Sequence, residues 1–203
     1  MENLLADIRR TREDHFFMQQ EQKRLEEMRR ESAREAEILR LMEVFGIRDP
    51  ELVRELSDAG FDSDLFRVLY LVPLIQVAWS DGGVSPSECE EVLGIAVLRG
   101  IKPGSAAHER LLGWLRERPS DRFFELCLRG IKAILAGRPS PEAQALRRDL
   151  VWYCTRIASA SGGFLGFGSR VSGEEEAMLT RLVADLDVRH HGTIDKLSRE
   201  LER

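Results

Sequence analysis

Asp81 and Glu88, seven positions apart, are the side chains in this sequence best placed to do chemistry. They bracket the run Ser80-Asp81-Gly82-Gly83-Val84-Ser85-Pro86-Ser87-Glu88. Carboxylates beside loop carbonyls suit a hard cation such as Ca²⁺ or Mg²⁺. The same residues also have a purely structural use. An Asp in a glycine turn bonds its own backbone, and a Glu three places after Ser85 completes a capping box. Two carboxylates fall short of the dense oxygen pattern of an EF-hand, so both readings stand.

The second candidate is Gly162-Gly163-Phe164-Leu165-Gly166-Phe167-Gly168. Its glycines suggest a phosphate loop, but no Gly-Lys-Ser/Thr follows and no strand precedes it. Phe164, Leu165 and Phe167 then either close over a core edge or form an exposed docking patch for a protein partner. Asp62-Ser63-Asp64 reads as a helix cap. His190 and His191, adjacent in sequence, would point in different directions on a helix, and they read as a surface turn before Gly192. Cys89, Cys127 and Cys154 form no CxxC, and each lies within a predicted helix, so buried reduced thiols are expected. No Ser/His/Asp or Cys/His spacing marks a nucleophile. The expectation is a protein that is not an enzyme.

The elements that must position these residues are helices. Leu65 to Trp79 is the most apolar run, with apolar residues on nearly all sides, which predicts a helix buried at the centre of a bundle. Pro73 should kink it. The run is too short to span a bilayer, so no membrane span is expected. After the Asp81 turn, Ser85 caps a helix with Pro86 at its first position, and that helix reaches about Leu98. Asp49, Ser105, Ser120, Ser140 and Ser172 read as further caps, and Asp62 or Ser63 caps the central helix. Thr193 would cap a last charged helix to Arg203. With no convincing strand, the class is all-α, with about seven or eight helices.

Residues 1–45 lack Gly and Pro after Asn3 and read as one long charged helix, protruding from a helical domain at 46–203. Lys23/Glu27 and Glu26/Arg30 fall at i,i+4 and support an exposed helix. Met18, Leu25, Met28, Ala36, Leu39 and Met42 form a thin seam, sparse for a coiled coil. A solvated helix docked by its ends, near Ile38 and Leu41, is weighed against an arm that forms a homodimer. The net charge of -5 gives no reason to expect nucleic acid. Met1-Glu2-Asn3-Leu4-Leu5 has neither the basic region nor the apolar core of a signal peptide, so a cytoplasmic location is expected.

Two segments share a plan. Ile75 to Glu88 is a small-residue helix end, a glycine turn, Val84 and a capping box. Ile157 to Gly163, an insertion, and then Val171-Ser172-Gly173-Glu174-Glu175 repeat it. Such paired helix–loop–helix units can pack with rough two-fold symmetry. From about Leu65 to Asp187 the chain resembles the TerB-like family, helical domains of tellurite-resistance operons and of some DnaJ-like co-chaperones. The family motif is a helix ending in Ala-Asp-Gly, an aliphatic residue and Ser-Pro-x-Glu. Ser80 stands here in the alanine position, and Ser161 replaces the Asp in the second unit. The resemblance implies a compact helical bundle, a stress-response role, divalent-metal binding at Asp81 and Glu88, and protein partners. The alternatives are a metal-free helical scaffold acting through its N-terminal helix, and an unrecognised enzyme.

Overall fold

The computed structural model describes residues 2–160 and 173–185. Among these residues there are eight α-helices, one 3-10 helix and no strand: α1 Glu2–Phe45, α2 Pro50–Asp58, the 3-10 helix Leu65–Leu71, α3 Val72–Ala78, α4 Pro86–Leu98, α5 Ala106–Arg116, α6 Asp121–Ala136, α7 Ser140–Ala160 and α8 Gly173–Asp185. The all-α class read from the sequence is the class observed. The Ser172 cap, the Thr193 helix and His190-His191 lie outside the described residues.

The chain divides into two units, Met1–Arg40 and Leu41–Arg203. The first is almost all of α1. Every residue from Phe17 to Ala36 is exposed. That helix is uninterrupted because nothing in it breaks a helix, and opposite charges recur at helical spacing. Near its end the pattern changes, and Ile38 and Leu41 are each only 1% exposed.

In the second unit, the 3-10 helix and α3 form the centre. Leu65, Phe66, Val68, Leu69, Leu71, Val72, Leu74, Ile75, Val77 and Ala78 are all buried. α3 touches α4, α6, α7, α8 and the 3-10 helix. The burial matches the apolar run. The expected single kinked helix does not form. Pro73 has no N–H to give the carbonyl four residues back, and its ring crowds that carbonyl. The turn before it tightens to 3-10, and α3 begins afresh with Pro73 in its first turn, where no donor is needed.

Caps set the other boundaries. Asp49 accepts from the N–H of Glu51 and Leu52 at 3.0 and 3.2 Å. Asp62, not Ser63, holds the start of the central segment, accepting from the N–H of Asp64 and Leu65 at 3.0 and 2.9 Å. Ser105 and Ser120 each accept at 3.2 Å from the N–H three residues on. Ser140 differs from expectation. It is already the first residue of α7, the Pro139 carbonyl accepts the bond from Ala143, and the Ser140 hydroxyl accepts from the Gln144 side chain. Proline is tolerated at either of the first two helical positions, so Pro141 permits this one-residue shift.

One close approach fixes a corner at Gly46 and the end of α6. Gly46 and Gly137 bring their backbones together, and a Cβ on Gly137 would collide with the Gly46 carbonyl oxygen. Beside this corner, Phe45 stacks on Phe66 with ring centroids 4.5 Å apart.

Candidate functional site

The Asp81 turn is built from the end of α3 outward. The Ser80 hydroxyl donates to the Val77 carbonyl at 2.6 Å, and the Gly82 N–H donates to the Trp79 carbonyl at 3.2 Å. Gly82 has φ +95, a backbone shape that side chains other than glycine's rarely adopt. The exposed Asp81 carboxylate accepts from the Gly83 N–H at 3.4 Å. This is the self-bonded turn that the residue types allow.

Glu88 behaves differently. It is 1% exposed, and Oε2 accepts from the Ser85 N–H at 2.7 Å. The Glu88 N–H donates to Ser85 Oγ at 3.2 Å, which closes the capping box. Val84, between them, is half-buried. Asp81 therefore faces solvent while Glu88 is committed to the first turn of α4. Among the described residues no group of three or more His, Cys, Asp or Glu could hold a metal ion. A Ca²⁺ takes six to eight oxygens, and the acidic side chains of this turn are those of Asp81 and Glu88. Phe164, Leu165 and Phe167 lie outside the described residues.

A different surface gathers apolar and charged groups. Between α5 and α6 lies an open cleft of about 860 Å³. Its floor is Trp114 and Phe123, both half-buried, with ring centroids 5.0 Å apart. Both rings also pack on Phe61, at 5.8 and 5.9 Å. Phe61 in turn meets Phe66, so the floor is the outer edge of an aromatic chain that runs into the core. Arg110, Arg118, Glu109 and Glu117 supply the charge at its rim. Arg118 is held by Asp121 at 2.6 Å and lies over the Phe124 ring. Among the described residues Arg110 makes no ion pair, and its guanidinium lies against Gly60. Gly113, on the same face of α5, leaves room for a side chain: a Cβ there meets nothing within 4 Å.

The cleft and the Asp81 turn share a strut. The Trp79 indole N–H, at the end of α3, donates to the Trp114 carbonyl at 2.9 Å. This bond satisfies a polar group that would otherwise be costly to bury, and it ties the turn's stem to the cleft's floor.

Sequence reading placed Trp114 on a helix but missed the cleft. Ala106, Arg110, Gly113, Trp114 and Glu117 do share a helical face, and that was legible. Nothing local says that the Pro119-Ser120 corner will set Phe123 across from it.

Among the described residues three groups have shifted proton affinities. Burial raises Cys127 and Cys154 well above the ordinary thiol range. Thiols held protonated in apolar surroundings are inert, in line with the reading of Cys127 and Cys154 as buried packing residues, whereas Cys89 is only half-buried. Burial also raises Tyr70, opposed by the Arg138 and Arg99 guanidiniums. None of the three lines the cleft. Among the described residues no helix is long and apolar enough to cross a membrane.

Comparison with protein-family models, curated proteins and solved structures yields no match.

Proposed function

We propose that this chain is a non-catalytic, TerB-like helical module that works by binding a protein partner at the α5–α6 cleft. The observation that carries the reading is the half-buried Trp114–Phe123 floor, anchored on Phe61. Aromatic residues with arginine at the edge are the usual composition of binding hot spots. The partner that fits presents an apolar side chain to the floor and an acidic one to Arg110. A non-catalytic role is supported by the inert thiols and by where the shifted groups lie. The stress and tellurite-resistance setting, and a cytoplasmic place, rest on the resemblance at Ser80–Glu88. A divalent ion at Asp81 and Glu88 rests on the same resemblance.

Gly113→Leu tests the cleft, because it fills the space without touching the core. Proteins captured by the immobilised wild-type chain should be lost with this variant while its melting temperature holds. Capture of the same proteins by both chains would sink the proposal.

A second reading is a helical scaffold that acts through α1, by self-association. The exposure of every residue from Phe17 to Ala36 favours it. In proteins most helical stability comes from tertiary packing, and a partner along this stretch would add to it.

A further inference from the structure

Of the four charged groups at the rim of the α5–α6 cleft, two are free to meet a partner. Arg118 is taken by Asp121. Glu109 stands beside His108 Nδ1 at 3.7 Å, and about 100° around α5 from Arg110. Arg110 and Glu117 are exposed and make no ion pair among the described residues. Seven positions apart, they lie within about 20° of each other around the helix and about 10 Å apart along it. Between them on the same face is Gly113, where a Cβ would meet nothing within 4 Å. Lacking a side chain, it lets the backbone of a ligand come close. The cleft is thus a row: a cation, a bare stretch beside Trp114 and Phe123, and an anion.

That row sets the spacing of its occupant. A polyproline II segment rises about 3.1 Å per residue with three residues per turn, so residues i and i+3 share a face about 9 Å apart. An acidic residue and a basic one three places on would reach Arg110 and Glu117 together. In a β-strand, residues three apart point to opposite faces. An α-helix meets the spacing too, at i and i+7.

Trp114 decides between these two. Its indole N–H makes no hydrogen bond among the described residues, whereas that of Trp79 has a partner. The carbonyls inside an α-helix are occupied by its own N–H groups. Those of polyproline II have no internal bonds and are free to accept. Proline-rich segments also dock on aromatic-lined grooves at low entropic cost, because their conformation is preformed.

We propose that the α5–α6 cleft takes a proline-containing segment in the polyproline II conformation, with an acidic residue on Arg110, prolines over Trp114 and Phe123, and a basic residue three places away on Glu117. This rests on the cleft reading above and specifies the conformation and charge spacing of its partner.

Fluorescence anisotropy with labelled synthetic peptides tests it. A peptide with Asp-Pro-Pro-Arg at its centre should bind the full chain, and Gly113→Leu should abolish the signal. Asp-Pro-Arg-Pro, which puts the charges on different faces, should bind about tenfold more weakly. Arg110→Glu should weaken the first peptide about tenfold, since a paired charge becomes an opposed one, and Lys-Pro-Pro-Arg should recover the loss on that variant. Arg110 and Gly113 are exposed, so both variants should melt as the wild type does. Tighter binding of an alanine-rich helical peptide with Asp and Arg seven apart overturns this inference and leaves the cleft reading standing. Binding of neither peptide, while Gly113→Leu still loses the captured proteins, does the same. Proline-peptide binding indifferent to Gly113→Leu and Arg110→Glu lies elsewhere on the chain and overturns the inference. If the captured proteins are indifferent to Gly113→Leu as well, the cleft reading falls with it.

Discussion

Leu25 and Leu69 are the same side chain on helical backbone, yet Leu25 is 53% exposed and Leu69 is fully buried. The difference lies in their neighbours. Around Leu69, from Leu65 to Ala78, apolar residues recur on every side, and only burial from all directions accommodates that. Around Leu25, apolar residues come seven or more apart or on one narrow arc, with charges between. Hydrophobicity of a residue does not decide its environment. The density and angular spread of the apolar residues around it do.

The sharpest way to break this comparison is to make one substitution in both places. Leu69→Ala should cost about 2–5 kcal/mol, because the surrounding core cannot collapse into the space left. Leu69 sits beside Gly130, where even a Cβ would come within 3.2 Å of its methyl group. In dilute solution Leu25→Ala should cost less than about 0.5 kcal/mol. Urea melts of both variants check this, and equal costs would mean that α1 is packed where it looks bare.

How much of this was legible follows from the same contrast. The helix starts at Asp49, Ser85, Ser105 and Ser120 were readable because a cap is a local bond between residues three apart. The burial of Leu65–Ala78 was readable from apolar density. The split of that run into a 3-10 helix and α3 was only half readable. Pro73 announces a disturbance but not whether the helix bends or restarts. The Trp114–Phe123 cleft and the Gly46–Gly137 contact were not readable at all. Each depends on a residue far away in sequence, Phe61 under the cleft and Gly137 against Gly46, placed by packing that no local pattern encodes.

A second comparison sets buried thiols against the solvent. Cys127 and Cys154 keep their protons in the folded state above the ordinary thiol value of 9.0. The unfolded chain releases them near that value, so the folded state binds more protons at higher pH. Stability is therefore full below pH 9.0 and falls as pH rises, by up to about 1.4 kcal/mol per thiol per pH unit. Tyr70, raised by burial from 10.0, adds to the decline above that value. Urea melts across this range should show the loss, and a Cys127→Ala/Cys154→Ala chain should show a shallower one. An unchanged slope would place the cause elsewhere.

The smallest expected effects come from the two carboxylates with which the sequence reading begins, and they should part company. Ser85→Ala removes the hydroxyl that accepts from the Glu88 N–H, and loss of such a cap costs about 1 kcal/mol. Asp81→Asn keeps a side-chain oxygen able to accept from Gly83, in a turn that asparagine tolerates, so stability should move by less than about 0.5 kcal/mol. The same variant separates turn from metal site. Asp81 is exposed and Glu88 is spent on its cap, so calorimetric titration with Ca²⁺, Mg²⁺, Mn²⁺ or Zn²⁺ should give the same trace for wild type and Asp81→Asn. A saturable heat present in the wild type and absent in the variant would make Asp81 a ligand. The Asp81 turn, not the cleft, would then be the first place to look for function.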